Sequence, residues 1–177
     1  DTRALHWLAN FHDYELKTIK AAIEVNEKQK LKLIKKARKY YESFNGLHVA
    51  VLGLTFKPGT DDLREAPSLQ NIPVLLEDGA SIRAWDPVGV ENYKKLYPTE
   101  LVYCQTIDEA IMDADVCFIF TEWPEVKNFD VKKYAQLMRT PIIVDGRNCY
   151  RLEQFSGLEV IYESIGRKTV NNYYATC

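Results

Sequence analysis

From Asp1 to Phe44 the chain carries no Pro or Gly, and its apolar residues recur at helical spacing. Thr2 is a residue able to cap a first helix, and Leu5, Trp7, Leu8 and Phe11 follow it. After the polar pair His12-Asp13 the pattern resumes. Leu16, Ile19, Ala22, Ile23 and Val25 lead into Leu31, Leu33, Ile34 and Ala37. The stretch from about Asp13 to Tyr41 is therefore expected as one helix of about 40 Å, at 1.5 Å per residue. A helix that long outreaches one small domain, so it is expected to bridge two domains or to pack against another subunit. Ser43-Phe44-Asn45-Gly46 ends it with a turn. This separates a helical segment, residues 1–45, from a second region, residues 46–177.

Beyond the turn, short apolar runs alternate with helical stretches. Strands are expected at 48–54, 81–85, 101–104, 115–120, 141–145 and 158–161. Helices are expected at 67–78, 89–96, 106–112 and 130–138. Alternation at this pitch builds right-handed βαβ units, and so a mostly parallel sheet with helices on both faces. The fold class read here is α/β: a Rossmann-like, doubly wound sheet preceded by a long helical segment.

Composition narrows the function classes. The net charge of -2 over 177 residues argues against a general nucleic-acid or membrane-surface binder. No apolar run approaches bilayer length and no secretory signal is visible. Cys104, Cys117, Cys149 and Cys177 show no CxxC spacing and no paired histidines, so no zinc site is indicated and reduced, packed thiols are expected. A cytoplasmic setting follows. Lys28, Lys30, Lys32, Lys35, Lys36, Arg38 and Lys39 read as a solvated helix face. Because the chain begins at Asp1, it is expected to be a processed chain or a piece of a longer one.

The richest chemistry lies in Val49 to Ser68, VAVLGLTFKPGTDDLREAPS. A strand ends there, a charged loop carries Lys57, Thr60, Asp61, Asp62 and Arg64, and a helix follows. In open α/β sheets ligands bind at the carboxyl ends of strands, and cations there suit phosphate. Phe56 is placed either to stack on a base or sugar or to tuck into the core. The dinucleotide fingerprint is missing, because Gly53-Leu54-Thr55-Phe56 is not G-x-G-x-x-G. Asp86 ends the second strand where a ribose-binding acid would sit, but an Asp-Pro turn explains it equally well. A second rim is expected at IIVDGRN, where Arg147 follows Asp145-Gly146 and could converge with Lys57 on one ligand. At Thr121-Glu122-Trp123, capping of the core and a functional role stand level. No Ser-His-Asp or Cys-His arrangement is present.

The segments GLTFKPGTDDLREAPS, AWDP, TEWPE and VDGRNCY resemble the carboxyl-terminal half of the nucleotide-sugar 6-dehydrogenases. These form the UDP-glucose/GDP-mannose dehydrogenase family, and the likeness is specifically to its UDP-glucose 6-dehydrogenases. DTRALHWLAN and AAIEVNEKQK resemble the central helical region of the same enzymes. The likeness covers essentially the whole chain, and the FKPGTDD-R block is its most specific part. It implies an amino-terminal NAD-binding domain, central helices that carry homodimer contacts, and a carboxyl-terminal Rossmann-like domain that holds the UDP half of the substrate. The implied reaction takes UDP-glucose, two NAD and water to UDP-glucuronate, through a cysteine thiohemiacetal and thioester.

Position by position, Phe56 and Lys57 match substrate-nucleotide contacts, Arg147 matches an arginine that also reaches the substrate, and Arg64 matches one that reaches NAD. Asp1 matches the aspartate of the catalytic C-F-P-K-D motif, which helps orient or activate water. The catalytic cysteine would precede Asp1, and none of the four cysteines has its context. By itself the chain is therefore expected to be inactive as a dehydrogenase, supplying UDP-sugar binding and dimer contacts. Two alternatives stay open: a piece of a dehydrogenase for UDP-N-acetylmannosamine or GDP-mannose, and a stand-alone nucleotide-binding and dimerisation module.

Overall fold

The computed structural model describes residues 2–173. Asp1 and Cys177 lie outside the described residues. The chain forms two compact units, Asp1–Lys32 and Leu33–Cys177.

The first unit holds α1 (Thr2–Phe11) and α2 (Lys17–Lys30), neither with a buried residue. An Arg3–Glu27 ion pair ties the two helices together, and Lys20 pairs with Glu15 at 3.0 Å. The single helix expected from Asp13 to Tyr41 is not observed. Residues 14–16 are non-helical, α2 stops at Lys30, and after Leu31 a separate α3 (Lys32–Ala37) follows. No Pro or Gly marks the break. Its physical reason is tertiary: Leu33, Ile34 and Ala37 are buried in the core of the sheet unit, whereas α2 buries nothing. The compact sheet unit thus begins before the Ser43–Gly46 turn where the sequence suggested a boundary.

In the second unit, β1 (His48–Leu52), β2 (Ser81–Trp85), β3 (Leu101–Tyr103), β4 (Val116–Ile119), β5 (Ile142–Asp145), β6 (Ile161–Ser164) and β7 (Val170–Asn171) form one sheet. The order is β3-β2-β1-β4-β5-β6-β7, parallel throughout except for the β6–β7 pair. The doubly wound α/β expectation holds. Helices α4 (Ser68–Glu77), α5 (Val90–Lys94), α6 (Ile107–Ile111), α7 (Pro124–Lys127) and α8 (Lys132–Leu137) connect the strands. Each face of the sheet has its own core. Val49 and Val51 of β1 pack with Ile72 and Leu75 of α4 and with the buried face of α3. Ala50 and Leu52 pack on the other face with Ala110 and Ile111 of α6 and Tyr134 of α8. Burial on both faces explains why β1 reads as an unbroken apolar run.

Two strand readings need correction. The last parallel strand is Ile161–Ser164, not 158–161, and the antiparallel β7 was not anticipated. The polar Glu163 disguised β6. Its side chain is 1% exposed and accepts bonds from Lys36 (2.7 Å), Lys39 (2.8 Å), Tyr40 (2.9 Å) and Thr169 (3.0 Å). Lys36 and Lys39 are therefore partners of a buried carboxylate rather than members of a freely solvated face.

Candidate functional site

The register places Leu52, Ile119 and Asp145 in one row across β1, β4 and β5. Backbone bonds carry the row onward, from Phe120 N to Leu52 O at 2.9 Å and from Gly146 N to Ile119 O at 3.0 Å. The loops after these strands consequently share one rim. The chain runs outward from β1 to β2 and β3 on one side and from β4 to β5 and β6 on the other. The β1–β4 seam is the topological switch point, where such sheets open a crevice.

Asp86, just past β2, ties this rim together. Its Oδ2 accepts N–H bonds from Leu54 (2.7 Å), Thr55 (3.3 Å) and the Trp123 indole (3.0 Å). Its Oδ1 accepts from Val88 (2.9 Å) and Gly89 (2.6 Å). The carboxylate is 4% exposed and bonded inward to the loops after β1, β2 and β4. Thr121 Oγ1 donates to Thr55 O across the same seam, and Ser68 Oγ donates to Leu54 O at 2.5 Å. The seam also requires Gly53. Its φ is +90°, and a Cβ there would lie 2.4 Å from Thr121 Cβ.

From this base the β1 loop projects its cation. Lys57 Nζ lies over the half-buried Phe56 ring at 5.0 Å and has no ion-pairing carboxylate among the described residues. Further along, Arg64 bonds Asp62 through Nη2 (2.7 Å) and Nε (3.0 Å), with 88% of its side chain exposed. That bond from Arg64 holds the Asp62 carboxyl down at about 2. An open depression of about 500 Å³ flanks the loop, lined by Thr60, Asp61, Asp62, Leu63, Arg64 and Asn92.

Arg147 sits after β5 and pairs with Glu122, from the loop after β4. The bond from Arg147 holds the Glu122 carboxyl below its ordinary range, against the opposing effect of burial. Asp145 fixes the turn beneath, accepting Arg147 N at 2.7 Å, Cys149 N at 2.7 Å and the Tyr162 hydroxyl at 2.7 Å. Burial nevertheless pushes the Asp145 carboxyl upward. Cys104, Cys117 and Cys149 are unpaired, and burial raises all three thiols, so none is an activated nucleophile.

The structure therefore brings Phe56, Lys57 and Arg147 to one rim. Arg64 lies on the Lys57 loop but extends into solvent, and Asp1 is outside the described residues. Sequence reasoning missed Asp86 as the tie between the loops. Its signal was present, since an Asp-Pro closing a buried strand is a polar group that must find partners inside. The crevice does not suit a dinucleotide. The glycine fingerprint is missing, and the acid that would take a ribose is saturated by the protein's own N–H groups.

Strand order, switch point and cationic rim define a Rossmann-like domain without the dinucleotide fingerprint. The model of the UDP binding domain of the UDP-glucose/GDP-mannose dehydrogenase family matches residues 50–152. The chain belongs to that family. It is 40% identical over 170 residues to UDP-glucose 6-dehydrogenase TuaD of Bacillus subtilis, covering 96% of this chain and 37% of that protein. With UDP-glucose 6-dehydrogenase YwqF of the same organism it shares 41% identity, covering 96% and 39%. A solved UDP-glucose dehydrogenase from Pyrobaculum islandicum superposes with a TM-score of 0.77 at 27% identity, covering 92% of this chain and 35% of that one. The chain thus spans well under half the length of the relatives it matches. Among the described residues no helix is long and apolar enough to cross a membrane.

Proposed function

We propose that this chain is the central helical and UDP-binding part of a UDP-glucose 6-dehydrogenase, the enzyme that takes UDP-glucose, two NAD and water to UDP-glucuronate. The observation that carries the reading is the shared rim. Lys57 stands after β1 and Arg147 after β5, on either side of the β4 loop, within the region matched by the family's UDP-binding model. In this reading the two cations hold the diphosphate, and Phe56 lies against the nucleoside. Binding energy gathered at the nucleotide then positions the sugar's 6-hydroxyl for chemistry elsewhere in the full protein.

NAD would be held mainly by a domain outside this chain, with Arg64 reaching toward it. Its exposure and its purely local pairing with Asp62 suit that role. Asp1 would help orient water. The 177-residue chain alone would reduce no NAD, and homodimer contacts would come from α1 and α2. A cytoplasmic setting belongs to the same reading.

Calorimetric titration of the chain with UDP, with GDP as control, tests it. UDP-selective binding is the expected result, and equal uptake of both nucleotides or of neither refutes it.

A further inference from the structure

The Arg147 guanidinium is held along one edge. Glu122 takes the Nε–H with one carboxylate oxygen and the Nη2–H with the other, at 2.9 Å for the latter. Nη1 makes no hydrogen bond among the described residues, so the Nη1–Nη2 edge stays open. Bidentate recognition of phosphate needs two parallel N–H groups of this kind.

Both ends of the pair are anchored. Arg147 N is bonded to Asp145, and the neighbouring Asn148 side chain links to Ile165 N (2.9 Å) and Ile165 O (3.1 Å). On the other side, Glu122 lies between two residues fixed on the seam. Thr121 donates to Thr55 O, and Trp123 donates to Asp86. A carboxylate carried on a backbone fixed on both sides can aim an arginine. It does so by occupying the edge that a ligand does not need.

Resting on the UDP reading above, we infer that Glu122 is a positioning residue, which fixes Arg147 so that its open Nη1–Nη2 edge meets the diphosphate of the bound nucleotide. The contrary role, a carboxylate that occupies Arg147 until phosphate displaces it, predicts the opposite sign on removal. A rigid brace lowers the ordering cost of binding, and losing it weakens the diphosphate contact alone.

The test titrates the 177-residue chain and its Glu122→Ala, Glu122→Gln and Arg147→Ala variants with UDP and with uridine. Glu122→Ala is expected to bind UDP about 3- to 10-fold more weakly, with uridine unchanged. Glu122→Gln keeps one acceptor oxygen and should fall between, which also covers the case of an alanine variant that melts early. In an Arg147→Ala background, Glu122→Ala should have no further effect on UDP.

Glu122→Ala binding UDP as tightly as the wild type, or more tightly, while Arg147→Ala weakens it would overturn the brace and leave the UDP site standing. Loss of no affinity in Arg147→Ala would refute the Arg147 contact itself, and no UDP uptake by the wild type would refute the reading beneath. The ligand-free Arg147 Nε–H resonance separates these failures. It should be protected from exchange in the wild type and averaged in Glu122→Ala, and equal exchange in both would also overturn the brace.

Discussion

Asp86 Oδ2 accepts the indole N–H of Trp123 at 3.0 Å, joining the turn after β2 to the loop after β4 across the intervening β1. The same carboxylate holds Leu54 N, Thr55 N, Val88 N and Gly89 N. Replacing it by an amide turns an N–H toward groups that are themselves donors. Asp86→Asn is expected to cost about 2–4 kcal/mol in urea denaturation at neutral pH, because buried donors lose their acceptor. An unchanged midpoint would show that the rim is held by other means.

Gly53 is the other constraint on the seam. Its φ is left-handed, and a Cβ added there would stand 2.7 Å from Thr121 N, which leaves no room for a side chain. Gly53→Ala should destabilise by about 2–4 kcal/mol and should also weaken UDP, since the Thr55–Thr121 bond lies beside it. Parallel thermal melts and titrations would check both effects, and a variant indistinguishable from wild type in both would refute the close approach.

Lys57→Ala tests the exposed cation. Lys57 has no ion-pairing carboxylate to compensate among the described residues, so its removal should weaken UDP about 10-fold and leave uridine unaffected. The wild-type advantage should shrink as salt rises, since an exposed charge is screened. Equal UDP affinity in the two proteins would place the diphosphate elsewhere.

Glu163 gives the fold a defined acid limit. Burial alone would raise its carboxyl. The bonds from Lys36, Lys39, Tyr40 and Thr169 outweigh that and bring it from 4.5 to about 2. A depressed folded value means the carboxylate's contribution is complete above about 4.5 and is lost as pH falls from there toward 2. At neutral pH that contribution is about 3 kcal/mol at most. Urea denaturation at pH 7, 5, 4 and 3 should show the wild type losing its advantage over Glu163→Gln through this window. A constant difference from pH 7 to pH 3 would count against the linkage.

On the helical unit, Trp7 and Phe11 are 67% and 70% exposed and stack with ring centroids 5.6 Å apart. Leu5, Leu8 and Tyr14 are exposed as well. If this surface carries the homodimer, Trp7→Ser with Phe11→Ser should shift sedimentation from dimer to monomer. A wild-type chain that sediments as a monomer at all concentrations would remove the dimer from the proposal.

The sheet was legible in the sequence because its strands are buried on both faces. His48–Leu52, Val116–Ile119 and Ile142–Asp145 announce themselves as apolar runs, closed by Gly53, by Thr121-Glu122 after Phe120, and by Asp145-Gly146. The rim positions of Lys57 and Arg147 were legible for the same reason, since a cation just past such a run falls on the carboxyl rim wherever the strand sits in the order. The long helix and β6 were misread because the deciding contacts are distant. Nothing local says that Leu33 and Ile34 join the sheet's core, or that Glu163 is buried with partners more than a hundred residues away in sequence. Asp86 and Glu122 belong to the same group. Their residue types were visible, but their roles depend on bonds between loops that only the register of β2, β1, β4 and β5 brings together. Hydrophobic periodicity is a property of neighbours along the chain and so fixes elements early. Hydrogen bonding of buried polar groups is a property of neighbours in space, and it is settled only when the strands have paired.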